Sequence, residues 1–329
     1  MKIVRLFEDN MLDYEREVIK NLGLDVSIEV RVSRTEDEII ENAQDADIVI
    51  AVYQPLTKRV LENLPNLKLV VYRSIGFNSI DMDYANSINL PVSHLSNYCT
   101  DEVANYVVAA ILTHNRRIHD FNQSIKVDRK WDYELFPDMR RLSSLTIGLI
   151  GFGNIPRLVA KRLQVFGCKV VAYDPFVSAE DFAAAGVQSV DLETIFKDSD
   201  YISSHLPLNK HTEGMLDKSL FDLATKSPVF INSSRGGVVK EADLVDALHT
   251  ETFSYAILDV VSTEDPNLDS LPFMSMDTVL LTPHIAFYSQ EAFLHGVREN
   301  MENILAFVEK RYNQADIVNL GSLTLDSVE

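Results

Sequence analysis

Three stretches of this chain each close a strand-like run with one residue able to do chemistry. They are Arg235 in INSSRGG, Asp259 followed by Glu264 in LDVVSTEDP, and His284 in LTPH. An arginine beside two glycines suits bidentate recognition of a carboxylate. A histidine backed by an acid suits proton exchange with a hydroxyl, because the acid fixes the ring and favours the imidazolium. Joined to a nicotinamide, this inventory would carry a hydride to or from a hydroxyl-bearing carbon. Taken singly, each residue also has a plainer use: a surface ion pair for Arg235, a solvated loop acid for Glu264, a helix cap for His284.

A second group of residues could hold the nucleotide. LTIGLIGFGNIPRLVAKRL reads as a buried strand, then Gly151-Phe152-Gly153, then a helix. Such glycines let the chain turn tightly and bring backbone N–H groups to a pyrophosphate at the positive end of the helix. Pro156 stands where the dinucleotide fingerprint has its third glycine. Proline is tolerated in a first helical turn, although the close strand–helix contact given by glycine is then lost. By itself the segment is also consistent with a plain tight turn. Asp174 closes the following strand, KVVAYDP, 23 residues beyond Gly151, where an acid would receive ribose hydroxyls and repel a 2′-phosphate. That favours NAD over NADP; a helix-capping Asp is the alternative for this position.

These residues need a framework of strands to bring their ends together. Lys2–Phe7, Val26–Val32, Asp47–Tyr53, Lys68–Arg73 and Pro91–Leu95 are strand-like, with helical patterns between them, such as Leu12, Val18, Ile19 and Leu22. A helix is expected from Thr100, capped by its hydroxyl, to about His119. The charged stretch from there to Arg141, which contains Trp131, reads as a bridge between lobes. Six further strands follow: Leu145–Ile150, Lys169–Tyr173, Tyr201–His205, Val229–Asn232, Tyr255–Asp259 and Thr278–Leu281. The pattern predicts α/β architecture with parallel, doubly wound sheets. A last helix is expected from Ser289 to about Arg311, with a frayed acidic tail after it.

Composition narrows the class. The 329 residues suit two lobes, and 46% hydrophobic with 24% charged residues excludes disordered and collagen-like chains. A formal charge of −19 makes nucleic acid and anionic membrane poor partners. No basic patch followed by an apolar stretch opens the sequence, so a soluble intracellular protein is expected. Cys99 and Cys168 are too few for a disulfide framework and lack metal-ligand spacing, so reduced thiols and no structural metal are expected.

Together GFGNIP with YDP, SSHLP (Ser203 to Pro207), INSSRGG, LDV with Glu264, and TPH resemble the ordered signatures of the NAD-dependent D-2-hydroxyacid dehydrogenases. RKWD (Arg129 to Asp132), YRSIGFNSIDM (Tyr72 to Met82) and NYCTDEVANY (Asn97 to Tyr106) extend the likeness over nearly the whole chain. The resemblance implies a Rossmann nucleotide domain, residues 100–287, inserted into a flavodoxin-like substrate domain, residues 1–99 and 288–329. It implies catalytic roles for Arg235, Glu264 and His284, with His284 as acid/base, Glu264 supporting it and Arg235 holding the substrate carboxylate and carbonyl. Cofactor contacts would come from Gly151, Gly153, Asn154, Ile155, Asp174, His205, Pro207, Thr212, Ser233 and Asp259. Substrate contacts would come from Ser74, Ile75, Gly76, Tyr98 and Arg235, with Ile75, Tyr98, Phe287 and Tyr288 shaping an apolar pocket.

The implied reaction interconverts a small 2-keto acid and the D-2-hydroxy acid with NAD(H), in a cytoplasmic homodimer. Two departures stand out: Pro156, and an extra Asp265 before Pro266 that offers a second candidate partner for His284. Ser74 and Tyr98 resemble the D-lactate dehydrogenase branch; DEVA and HIAFYS resemble the C-terminal-binding-protein branch. An NAD(H)-sensing corepressor-like or scaffold protein of the same fold is therefore the alternative. A phosphorylated hydroxy acid is a third substrate reading, for which Arg73 is the one cation in view.

Overall fold

A computed structural model describes residues 1–325 of the chain. The chain divides into two compact units, one comprising Met1–Cys99 together with the chain from Ser289 onward, the other Thr100–Tyr288. Parallel strands covered on both faces should be apolar throughout rather than alternating. That is how the first unit is built. Its strands are β1 (Lys2–Arg5), β2 (Ser27–Val30), β3 (Ile48–Ala51), β4 (Leu69–Tyr72) and β5 (Val92–Ser93), all parallel, in the flavodoxin-like order β2-β1-β3-β4-β5. Every residue of IVIA in β3 and LVVY in β4 is buried. Ile48, Ile50, Leu69 and Val71 face a core shared with Val18, Ile19, Val297, Met301 and Ile304, while Val49, Val70 and Tyr72 face a second core with Ile39, Leu56 and Val60.

The second unit carries seven parallel strands: β6 (Thr146–Ile150), β7 (Lys169–Tyr173), β8 (Gln188–Ser189), β9 (Tyr201–Ser204), β10 (Val229–Asn232), β11 (Tyr255–Leu258) and β12 (Val279–Leu281). Their order is β12-β11-β10-β9-β6-β7-β8. The chain runs outward from β6 to β8, then returns to pair β9 with β6, so the strand order reverses between β6 and β9. In open α/β sheets such a reversal opens a crevice at the carboxyl ends of the strands. Edge strand β8, two exposed residues long, is too short and too polar to give a sequence signal.

Three expectations need correction. The helix beginning at Thr100 ends at Asn115, and a second one runs over Ile118–Lys126 after Arg117 takes φ +49°. The break follows from Asn115, whose amide turns inward and donates to the Arg140 carbonyl at 3.1 Å. Thr100 is the first helical residue rather than the cap, and its buried hydroxyl makes no hydrogen bond among the described residues. The stretch to Arg141 is not a bridge: it lies within the second unit, held by Phe121 edge-on to Phe136 and by Arg140 paired with Asp200 at 2.5 Å.

The chain after the last helix, Gln290–Val308, is also better fixed than a frayed tail. Ile317 bridges Ser93, and the Asn319 side chain bonds Leu90 and Val92 of the first unit. Residues 326–329 of that tail lie outside the described part of the chain. Ser289 caps the helix itself, accepting from the Ala292 N–H at 2.9 Å.

Candidate active site

The nucleotide loop sits where β6 ends at the reversal in strand order. Gly151 has φ +93°, and a Cβ there would lie 2.9 Å from the His205 carbonyl oxygen, so only glycine fits. Gly153 caps the helix Asn154–Val165 with open space where a Cβ would be, leaving its backbone approachable. Asn154 is exposed and Ile155 half-buried at the start of this helix. Pro156 is buried in the same first turn, where an absent N–H leaves no helical bond unmade. Asp174 is held at the rim: one carboxylate oxygen accepts from the Phe152 N–H at 2.8 Å, the other from the Phe176 N–H at 2.9 Å. An acid, a tight glycine turn and an unobstructed glycine at a helix N-terminus fit an adenosine ribose and a pyrophosphate.

The remaining candidate cofactor residues follow β9 and β10. His205 bonds the Ile150 carbonyl through its N–H at 2.8 Å, and its Nε2 meets Ser203 Oγ at 3.0 Å. Burial pushes its pKa down to about 3, so the ring is neutral. Thr212 closes the next loop by donating its hydroxyl to the Pro207 carbonyl at 2.5 Å. Ser233 Oγ is buried without a hydrogen bond among the described residues.

Around β10 to β12 the chemical residues come together. Glu264 Oε2 lies 2.6 Å from His284 Nδ1, so Glu264, and not the adjacent Asp265, is the acid at hydrogen-bond distance. The edge of the Phe287 ring packs against the imidazole, centroid to centroid 5.8 Å. Burial alone would raise the Glu264 carboxyl, but the bond to His284 and the charges of His284 and Arg235 outweigh it and hold the pKa below the usual carboxylate range. That balance also sets Arg235 within electrostatic reach of the pair. The Arg235 guanidinium donates to the Ser234 carbonyl at 2.7 Å, and its own carbonyl accepts from Asn232 at 3.0 Å.

His284 has φ +54°, a backbone state seldom taken by a non-glycine residue and one that its surroundings must impose. Asp259 imposes it. Its carboxylate, 1% exposed, accepts from Thr282 Oγ1 (2.6 Å) and from the N–H groups of Ile285 (2.9 Å) and Ala286 (2.9 Å). Its carbonyl accepts from the His284 N–H at 2.8 Å. Tyr106 extends the chain by donating to Thr282 at 2.6 Å, and burial raises that phenol to about 12. Sequence reading gave no role to Tyr106 or Thr282, because the bond that joins them links residues far apart in sequence. The Asp259 carboxylate is committed to the turn that aims His284, while its backbone N–H donates to the Asn232 carbonyl at 2.9 Å.

In the first unit, the carbonyls of Ser74, Ile75 and Gly76 all accept hydrogen bonds from within that unit: from the Leu95 N–H at 3.1 Å, the His94 ring at 2.8 Å and Ser74 Oγ at 2.6 Å. No hydrogen bond from the N–H of Ser74, Ile75 or Gly76 is found among the described residues. The Tyr98 ring packs where a side chain on Gly296 would have to go. Arg73 is buried and spoken for by Glu15, Asp9 (3.1 Å) and Asn300 (3.0 Å).

The family model for the D-isomer specific 2-hydroxyacid dehydrogenase NAD binding domain matches residues 108–286, over half of the chain. The chain belongs to the D-2-hydroxyacid dehydrogenase family. It is an NAD-dependent oxidoreductase acting on the CH–OH group. D-3-phosphoglycerate dehydrogenase of Archaeoglobus fulgidus is 33% identical over 87% of this chain, which spans only 53% of that protein. Hydroxypyruvate reductase of Blautia hydrogenotrophica is 32% identical over 80% of this chain and 82% of its own length. Among solved structures, D-lactate dehydrogenase of Aquifex aeolicus with NAD and lactic acid superposes with a TM-score of 0.84 at 29% identity, covering 97% of this chain and 99% of that one. Likeness to named dehydrogenases and a reductase favours oxidoreduction over the sensing alternative. Among the described residues no helix is long and apolar enough to cross a membrane.

Proposed function

We propose that this family member reduces a small 2-keto acid to the D-2-hydroxy acid with NADH, and runs the reverse reaction with NAD. The 2.6 Å bond between His284 Nδ1 and Glu264 is the observation that carries the reading. With Nδ1 committed to an ionised acid, the proton exchanged with substrate travels on Nε2, donated to the carbonyl oxygen in reduction and taken from the hydroxyl in oxidation. When bound, the nicotinamide supplies or accepts the hydride at C2. Arg235 pairs with the substrate carboxylate and polarises its carbonyl. The backbone N–H groups at Ser74 to Gly76 are a further carboxylate-binding group, with Tyr98 and Ile75 as apolar surface in the same unit. Gly151, Gly153, Asn154, Ile155 and Asp174 hold the adenosine half of NAD; His205, Pro207, Thr212, Ser233 and Asp259 line the nicotinamide half.

A phosphorylated substrate is less well supported, because Arg73 and Arg5 are both neutralised by Asp9 and Glu15. The exposed apolar side chains Ile118, Val127, Trp131 and Tyr133 support a homodimer formed by the nucleotide unit, and two buried cysteines outside any disulfide suit the cytoplasm. The test is NADH oxidation with pyruvate, 2-oxobutyrate, hydroxypyruvate and phenylpyruvate. Turnover of at least one with strict D stereochemistry is expected; none, with NADH still bound, would overturn the reading.

A further inference from the structure

We propose that His94 is a positioning residue: its ring holds one peptide plane of the loop Ser74–Gly76 so that the loop presents N–H groups to the substrate carboxylate. The inference rests on the reading that this loop receives the carboxylate. In a trans peptide the C=O of one residue and the N–H of the next point in opposite directions, and no cis bond occurs among the described residues. Anchoring the Ile75 carbonyl therefore aims the Gly76 N–H the other way. The same logic applies on either side, where the Ser74 carbonyl is held by the Leu95 N–H and the Gly76 carbonyl by Ser74 Oγ. Consecutive N–H groups turned to one side form an anion-binding concavity.

Of these three anchors, only the middle one comes from a side chain outside the loop. His94 Nδ1 lies 2.8 Å from the Ile75 oxygen, and because a carbonyl only accepts, Nδ1 carries the proton. The ring also packs edge-on against Phe77 at 5.4 Å, so it touches the loop on both sides of Gly76. Its own backbone is fixed, the carbonyl by Asn303 at 2.9 Å and the N–H by the Asp316 carbonyl at 3.3 Å. The ring is thus a rigid strut rather than a mobile side chain.

The experiment compares His94→Leu and His94→Asn as NADH-loaded enzyme, with oxamate binding read by NADH fluorescence and steady-state kinetics read with the best 2-keto acid of the panel. The asparagine amide nitrogen stands the same two bonds beyond Cβ as Nδ1, so it keeps the donor. In His94→Leu, oxamate Kd and KM should both rise about 10-fold while kcat stays within about threefold. NADH affinity should be unchanged, and His94→Asn should restore most of the loss. Unchanged oxamate binding in a folded His94→Leu, a fall in kcat with KM constant, or failure of His94→Asn to rescue would each overturn the proposal. If the wild type itself binds no oxamate and turns over no 2-keto acid, the carboxylate reading falls and this inference falls with it.

Discussion

Two clusters in this chain combine arginine with acids, and they are built for opposite ends. In the first unit Arg5, Glu15 and Arg73 are 1%, 0% and 5% exposed, bonded to one another and to Asp9 and Asn300, with both guanidiniums over the Phe7 ring. In the second unit His284 is 21% exposed and Glu264 40%, and the histidine backbone is bent into a left-handed state by Asp259. The first cluster spends its charges internally. The second keeps them at a surface and fixes their direction, which is what chemistry on a visiting molecule requires.

That contrast breaks first at His284. His284→Ala should lower kcat by about 10²- to 10⁴-fold with the melting temperature little changed, because the role proposed for this partly exposed residue is proton transfer. Glu15→Gln should do the reverse. Removing the buried acid leaves Arg5 and Arg73 sharing Asp9 alone, an expected loss of about 3–5 kcal/mol in chemical denaturation, with kcat of the folded enzyme kept. If Glu15→Gln instead lost activity without losing stability, the division between the clusters would be wrong.

Acid pH gives a smaller effect that again separates structure from chemistry. Burial lowers His205 to about 3 and His114, at 2.8 Å from the Tyr201 hydroxyl, to about 4. A base depressed in the folded state binds its proton in the unfolded chain first. Stability from these two residues is therefore complete above pH 6.5 and lost as pH falls towards 4, by on the order of 3 kcal/mol each. Denaturation midpoints across that range should show the slope, and His114→Gln should flatten it. The Glu264 carboxyl is also held below its ordinary value, burial opposing the shift and the bond to His284 with the charges of His284 and Arg235 producing it.

Much of this was readable beforehand because parallel strands buried on both faces announce themselves as apolar runs. All eleven strands sketched from Lys2–Phe7 to Thr278–Leu281 have counterparts, shorter by a residue or more at many ends, because residues such as Leu6, Arg73 and Leu145 stay buried beyond the last ladder pair. Gly151 was legible because its conformation and its contact with His205 admit no other residue. The break at Arg117 was not, since Asn115 ends the helix by a bond to Arg140, distant in sequence. Nor was the Tyr106–Thr282–Asp259 chain, which joins a helix to two strand ends and exists only in three dimensions. The carbonyls of Ser74 and Ile75 belong to the same class: their anchors are Leu95 and His94, across a strand connection.

The central claim is that Arg235 and the Glu264-supported His284 act on one substrate, and a crystal structure with NADH and oxamate tests it most directly. The account predicts oxamate within about 3 Å of both His284 Nε2 and the Arg235 guanidinium, beside the nicotinamide ring. Oxamate bound away from His284, or an imidazole turned from the dinucleotide, would contradict it.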